Sequence, residues 1–156
     1  MLLATEVPVW AQILLECPVS GSKDNPVRKD EGSDAQATKS CLVLLAHGSK
    51  DPRWREPFEK LFCKAAKDSE RVRLAYMEFT GPTLLEVAEE CARENVESFR
   101  VLPLFMAAGA HLATDVPEQL GQVSERHPRM RIEVLPPIGE DPRVAALLEE
   151  LIREKL

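Results

Sequence analysis

Leu44-Leu45-Ala46-His47-Gly48-Ser49-Lys50-Asp51-Pro52-Arg53 is the stretch on which the reading of this chain turns. The apolar run from Cys41 to Ala46 has the length and composition of a buried strand. It stops on His47, after which Gly48, Ser49, Asp51 and Pro52 supply a turn into a helix. In an open α/β sheet, ligands bind outside the carboxyl ends of the strands. A histidine carried to such an end can ligate a metal or move a proton near neutral pH.

Outward from this point the chain alternates strand and helix. A first strand is expected over 41–46 and a helix over 54–67, where Phe58, Leu61, Phe62 and Ala65 recur at helical spacing. Pro57 is tolerable there only within the first turn. A second strand over 71–78 is apolar on both faces and ends on Glu78. Gly81-Pro82 breaks the chain, and Thr83-x-x-Glu86 is a capping-box signature for a helix running to about residue 94. A third strand over 98–104 places Pro103 near its end, because proline cannot donate to a central ladder. Phe105 to Ala110 forms a small-residue loop before His111, and a helix spans 112–126 with its regular part from about Asp115. A fourth strand over 130–135, a Pro136-Pro137-Ile138-Gly139 loop and a helix over 142–155 complete the pattern. That last helix carries the stripe Val144, Leu147, Leu148 and Leu151.

Four strand–helix repeats imply an α/β, flavodoxin-like doubly wound sheet of four parallel strands with helices on both faces. Right-handed crossovers favour the order 2-1-3-4. Strands 1 and 3 then flank the point where the winding reverses. His47, His111 and Glu78, remote in sequence, are expected to converge there.

The 156 residues suit one domain, with 44% apolar and 29% charged residues. A net charge of −6, with no basic stripe interleaved with aromatics, argues against a nucleic-acid surface. No apolar run approaches a membrane span. The four cysteines, Cys17, Cys41, Cys63 and Cys91, form no C-x-x-C pair. Cys41, Cys63 and Cys91 fall within apolar patterns and read as small buried hydrophobes of a reducing, cytoplasmic compartment. Residues 1–40 differ from the rest. Met1 to Cys17 makes a poor secretory signal, and 18–40, rich in Ser, Asp, Lys, Gly and Pro, reads as a disordered, dispensable extension to a domain at 41–156.

Each candidate has a bland alternative. His47 could cap a turn, His111 could open a helix, and Glu78 could pair with a basic residue. Their joint placement favours a site. His127 reads as a surface residue, and Asp51 and Asp115 as turn and cap residues. Lys50, Arg53 and Arg55 form an anion-binding rim or merely a solvated loop. Phe105, Met106 and the small residues around them suit a flat hydrophobic ligand or simple packing. No G-x-G-x-x-G or G-K-[ST] cradle is present. No arginine directly precedes the His-Gly pair, as a phosphohistidine enzyme would need.

The stretch from Leu44 to Arg53 resembles the opening motif of the small sirohydrochlorin cobaltochelatases. So does Ala75-Tyr76-Met77-Glu78-Phe79 with Pro82. Val101-Leu102-Pro103-Leu104-Phe105 through Gly109-x-His111-x-x-x-Asp115-x-Pro117 is similar to the family's third signature. The resemblance covers 41–156 and implies a class II chelatase with no nucleotide requirement. Such an enzyme inserts Co²⁺ or Fe²⁺, with Ni²⁺ a further candidate, into sirohydrochlorin on the way to cobalamin or sirohaem. It maps the family's metal-binding histidines onto His47 and His111 and its acidic residue onto Glu78. It also implies a homodimer. Lys50 stands where arginine is more usual, keeping the charge without the fork geometry. Ser49, Lys50, Arg53 and Met106 are the candidate tetrapyrrole contacts. The competing reading is a metal-binding or metal-delivery module that uses the same histidines without turnover.

Overall fold

The computed structural model describes residues 39–156, except 68 and 70 and the side chains of 110 and 111. The extension proposed for 1–40 therefore lies outside the described residues but for its last two. Lys39 and Ser40 already belong to the fold: Ser40 opens the first strand, and the Lys39 carbonyl accepts from Glu97 and Ser98.

Strands β1 (Ser40–Ala46), β2 (Val72–Tyr76), β3 (Ser98–Pro103) and β4 (Arg131–Val134) form one sheet in the order β2-β1-β3-β4. All its pairings are parallel. Between them lie helices α1 (Pro52–Ala66), α2 (Leu84–Arg93), the short α3 (Ala110–Ala113) and α4 (Asp115–Arg126). A 3-10 turn (Ile138–Glu140) and helix α5 (Pro142–Arg153) follow β4. This is the expected doubly wound topology.

Strand alternation divides the core in two. Cys41, Val43 and Leu45 of β1, with Ala75, Phe99 and Val101, face Val87, Ala88 and Cys91 of α2 and Val116, Leu120 and Val123 of α4. Leu44 and Ala46, with Val72, Leu74 and Tyr76, face Phe62 and Cys63 of α1. The first face thus has two helices and the second has one. The buried Cys41 and Cys91 are free thiols that hydrogen-bond each other, whereas Cys63 is disulfide-bonded, a correction to the all-reduced reading.

Local signals place the helix starts. Asp51 caps α1, accepting from the Arg53 amide, and Pro52 occupies the first turn, where its missing N–H costs nothing. The helix begins two residues before the expected position, which puts Pro57 in the second turn and removes one intrahelical bond. The Thr83–Glu86 capping box is formed in both directions. The segment expected as one helix from 112 breaks at Thr114, where φ is −123°. Asp115 consequently sits inside the first turn of α4 instead of capping it.

Two departures matter later. Arg73, with 2% of its surface exposed, is the buried charged residue of the described core; it pairs with Glu94 at 2.8 Å. Helix α5 carries the expected apolar stripe, yet no residue of that helix is buried. No described helix is long and apolar enough to cross a membrane.

Candidate metal-handling site

At the carboxyl end of the sheet the loops after β1 and β2 meet. The strand pairing continues past Ala46: Met77 donates to the Ala46 carbonyl at 2.9 Å and Glu78 to the His47 carbonyl at 3.0 Å. Glu78 thus lies two residues beyond β2, not at its last position, because the strand ladder ends at Tyr76. The backbone contact still sets it beside His47. Gly48 makes the approach possible. Its φ is +99°, and a Cβ built there would fall 1.9 Å from the Glu78 carbonyl oxygen. Only glycine adopts this backbone at so close an approach without strain.

The side chains follow the backbone. His47 Nδ1 stands 3.7 Å from Glu78 Oε1, with the two side chains 39% and 41% exposed. Both are anchored at the base and open to solvent at the tip. Phe105, two residues past β3, holds the other side of the imidazole with ring centroids 4.9 Å apart. The loops after three adjacent strands, β2, β1 and β3, thus bring Glu78, His47 and Phe105 together. His111 lies in α3 on the segment leaving β3, at this same end of the sheet. Among the described residues no group of three His, Cys, Asp or Glu side chains gathers; the described pair is His47 and Glu78.

The candidate substrate contacts distribute unevenly. The Ser49 hydroxyl accepts from the Asp51 amide at 3.1 Å and so shapes the turn. Lys50 reaches over the Phe79 ring, 5.6 Å from its centroid. Arg53 turns back onto Asp51, with bonds of 3.0 and 2.7 Å, which holds the Asp51 carboxyl below its usual range. Arg55 donates to the Thr80 hydroxyl at 3.2 Å, tying α1 to the loop that carries Glu78. Met106 is 61% exposed on the outer lip.

Two features went unread in the sequence. Phe79, next to Glu78, has φ +63° and is 60% exposed. A bulky residue held in the left-handed region costs energy that the fold must offset, and such positions concentrate at functional sites. The lip is braced from the fourth loop as well. Gly139 donates to the Phe105 carbonyl at 2.9 Å, and Glu140 accepts from the Ala108 amide at 3.0 Å. Gly139 following Pro136-Pro137-Ile138 was the available sequence signal. A cavity of about 780 Å³ lies at the opposite end of the sheet, lined by Asn95, Glu97, Ser98, His127 and Met130 among others, away from the strand ends that carry His47 and Glu78.

An imidazole beside a carboxylate, half-open at the switch point of a doubly wound sheet, defines a small α/β protein built to handle a metal ion or protons. Comparison with known proteins makes this particular. The chain belongs to the CbiX family, whose model matches residues 41–155. A sirohydrochlorin cobaltochelatase of Sulfurisphaera tokodaii is 32% identical over 115 residues, covering 74% of this chain and 92% of that protein. A sirohydrochlorin ferrochelatase of Priestia megaterium is 29% identical over 116 residues, covering 73% of this chain but 44% of its own length. The crystal structure of a cobalamin (vitamin B12) biosynthesis CbiX protein from Marinobacter aquaeolei VT8 superposes with a TM-score of 0.68 at 38% identity. It covers 74% of this chain and 96% of that one.

Proposed function

We propose that this chain inserts a divalent metal, Co²⁺ or Fe²⁺, into sirohydrochlorin. One metal ion enters the macrocycle, two pyrrole N–H bonds break, and two protons leave. The metal is a substrate, and Ni²⁺ belongs to the same candidate set. The observation that carries the reading is the His47–Glu78 pair at 3.7 Å, on the loops that the family's motifs occupy.

The chemistry asks for ligands that strip water from a first-row ion yet release it. Imidazole and carboxylate suit such ions without the grip of a thiolate cage. In this reading His47, His111 and Glu78 receive the metal, leaving coordination positions open for transfer. The same groups take up the pyrrole protons, which imidazole does near neutral pH. Lys50 meets the carboxylates of the macrocycle, while Met106 and the Ser49 turn border its flat face. Arg53, held by Asp51, must leave that partner to take part. A domain of this size covers a tetrapyrrole only in part, and the reading includes a homodimer.

Mixing the purified chain with sirohydrochlorin and Co²⁺ and following the absorbance of the macrocycle tests this. Acceleration over the metal-only control is expected, with strong slowing in His47→Ala and in His111→Ala. No acceleration refutes the enzymatic reading, and Co²⁺ binding without turnover then identifies a metal-delivery module. Residues 39–156, which keep the Lys39 and Ser40 contacts of β1, are expected to retain the activity; its loss on removing 1–38 refutes the assignment of the whole reaction to that domain.

A further inference from the structure

The segment Glu78-Phe79-Thr80 is a three-residue turn. The Thr80 amide donates to the Glu78 carbonyl at 2.8 Å, and Phe79 at its centre has φ +63°. A turn closed two residues on around a positive φ is the rare and strained hand of its class. The surroundings hold it in place. Arg55 of α1 donates to the Thr80 hydroxyl at 3.2 Å, Gln119 of α4 to the Met77 carbonyl at 3.1 Å, and Glu78 to the His47 carbonyl at 3.0 Å.

The side chain at the centre of this turn gains little from the fold. Phe79 is 60% exposed and belongs to neither half of the core. A turn needed only to aim the Glu78 carboxylate would be made more cheaply by glycine or asparagine, which tolerate positive φ. The residue present is instead a large aromatic, which points to a task for the ring and not for the backbone. Its position agrees. Phe79 follows Glu78 directly, and Lys50, three residues past His47, sets its ammonium 5.6 Å from the ring centroid. With Lys50 over one face, an exposure of 60% leaves the other face open to solvent. By the strand order, Phe79 and the exposed Met106 stand on loops to either side of the one that carries His47.

From this geometry we infer that the open face of Phe79 is a stacking surface for a flat, conjugated, carboxylate-bearing ligand, the tetrapyrrole macrocycle. The inference rests on the function proposed above and names a substrate-binding residue for it. A planar ring lying offset on Phe79 and reaching toward Met106 covers the His47–Glu78 pair, which brings its central nitrogens to the metal-handling groups. Lys50 then stands close enough to the rim of the macrocycle to meet one of its carboxylates. The strain at Phe79 is offset when the macrocycle is bound, because the ring is desolvated only then.

The test titrates sirohydrochlorin into the full chain without added metal and follows the absorbance of the macrocycle. The unaltered protein is compared with Phe79→Gly, Phe79→Leu and Phe79→Trp. Glycine takes φ +63° without strain, so the urea midpoint of Phe79→Gly is expected to equal or exceed the parental one. Its dissociation constant for sirohydrochlorin is nevertheless expected to rise at least about tenfold. Leucine and tryptophan both keep the strained backbone, so their difference reports the ring alone: Phe79→Leu binds as weakly as Phe79→Gly, and Phe79→Trp binds as the parent does. In metal insertion, the loss in Phe79→Leu falls on KM for sirohydrochlorin and leaves KM for Co²⁺ within about twofold, which a general loosening of the Glu78 loop would not do. Parental affinity in both Phe79→Gly and Phe79→Leu overturns the inference and leaves the chelatase reading intact. A parent that binds the macrocycle without inserting metal overturns the enzymatic reading and leaves the stacking surface standing. A parent that binds no sirohydrochlorin overturns both.

Discussion

Gly48→Ala probes the contact on which the site's geometry depends. Ordinary Cβ contact begins near 3.4 Å, whereas the added methyl would lie 1.9 Å from the Glu78 carbonyl oxygen, so one loop must retreat by about 1.5 Å. That retreat breaks the Glu78 to His47 backbone bond of 3.0 Å, a loss of ~0.5–1.5 kcal/mol. Holding alanine at φ +99° adds ~1–3 kcal/mol. The sum, about 1.5–4.5 kcal/mol, lowers the melting temperature by roughly 6–18 °C at about 4 °C per kcal/mol. The retreat also widens the His47–Glu78 pair, now 3.7 Å apart, and a shift of ~1 Å between reacting groups costs on the order of a hundredfold in rate. Gly121→Ala is the control. It lies in α4 with nothing within 4 Å of the added atom, and alanine there stabilises by ~0.5–1 kcal/mol through helix propensity alone. Urea unfolding and Co²⁺ insertion are measured on both. A Gly48→Ala protein with the parental urea midpoint and a rate within about twofold refutes the reasoning, since the loops would then approach without needing glycine.

Further outcomes follow from other contacts. Glu78→Gln keeps the shape and removes the charge; insertion is expected to slow about a hundredfold while stability stays within ~0.5 kcal/mol, because the carboxylate is 41% exposed and serves no core contact. Full activity of this variant removes Glu78 from the site. Glu94→Gln leaves the Arg73 guanidinium buried with a weakened partner and is expected to cost ~1–3 kcal/mol in urea unfolding, less than a fully buried pair because Glu94 is 42% exposed. Asp141, held by Arg143, has its carboxyl lowered from the usual 3.8 to about 2. Its capping of α5 is therefore fully present above pH ~4 and is lost as pH falls through about 2. Circular dichroism at helix wavelengths should show that acid step in the parent and not in Asp141→Asn.

The parts of the fold that were legible in the sequence depend on local pattern. The periods of the strands and helices, the Thr83–Glu86 box and the proline at the end of β3 each state a local requirement, and parallel crossovers then leave few topologies. Position along the chain was enough to bring His47 and Glu78 to one end of the sheet, since every strand of a parallel sheet ends on the same side. What stayed hidden depends on partners distant in sequence. Arg73 inside an apolar strand finds its ion-pair partner in Glu94, 21 residues on. The need for Gly48 arises from a backbone carbonyl on the next strand, which no spacing rule reports. The α5 stripe shows the same limit from the other side. Helical periodicity establishes that Val144, Leu147, Leu148 and Leu151 require burial, but it carries no information about whether the covering surface belongs to the same chain. The contacts at Gly139 and Glu140 hold the turn from which the helix starts, and they too join residues more than 30 apart in sequence. The same turn braces the lip of the site and leads into α5, through the Gly139–Phe105 and Glu140–Ala108 hydrogen bonds. It follows that loosening that turn should alter the lip at Met106 before it alters the His47–Glu78 pair, whose backbone is held by the β1 and β2 ends.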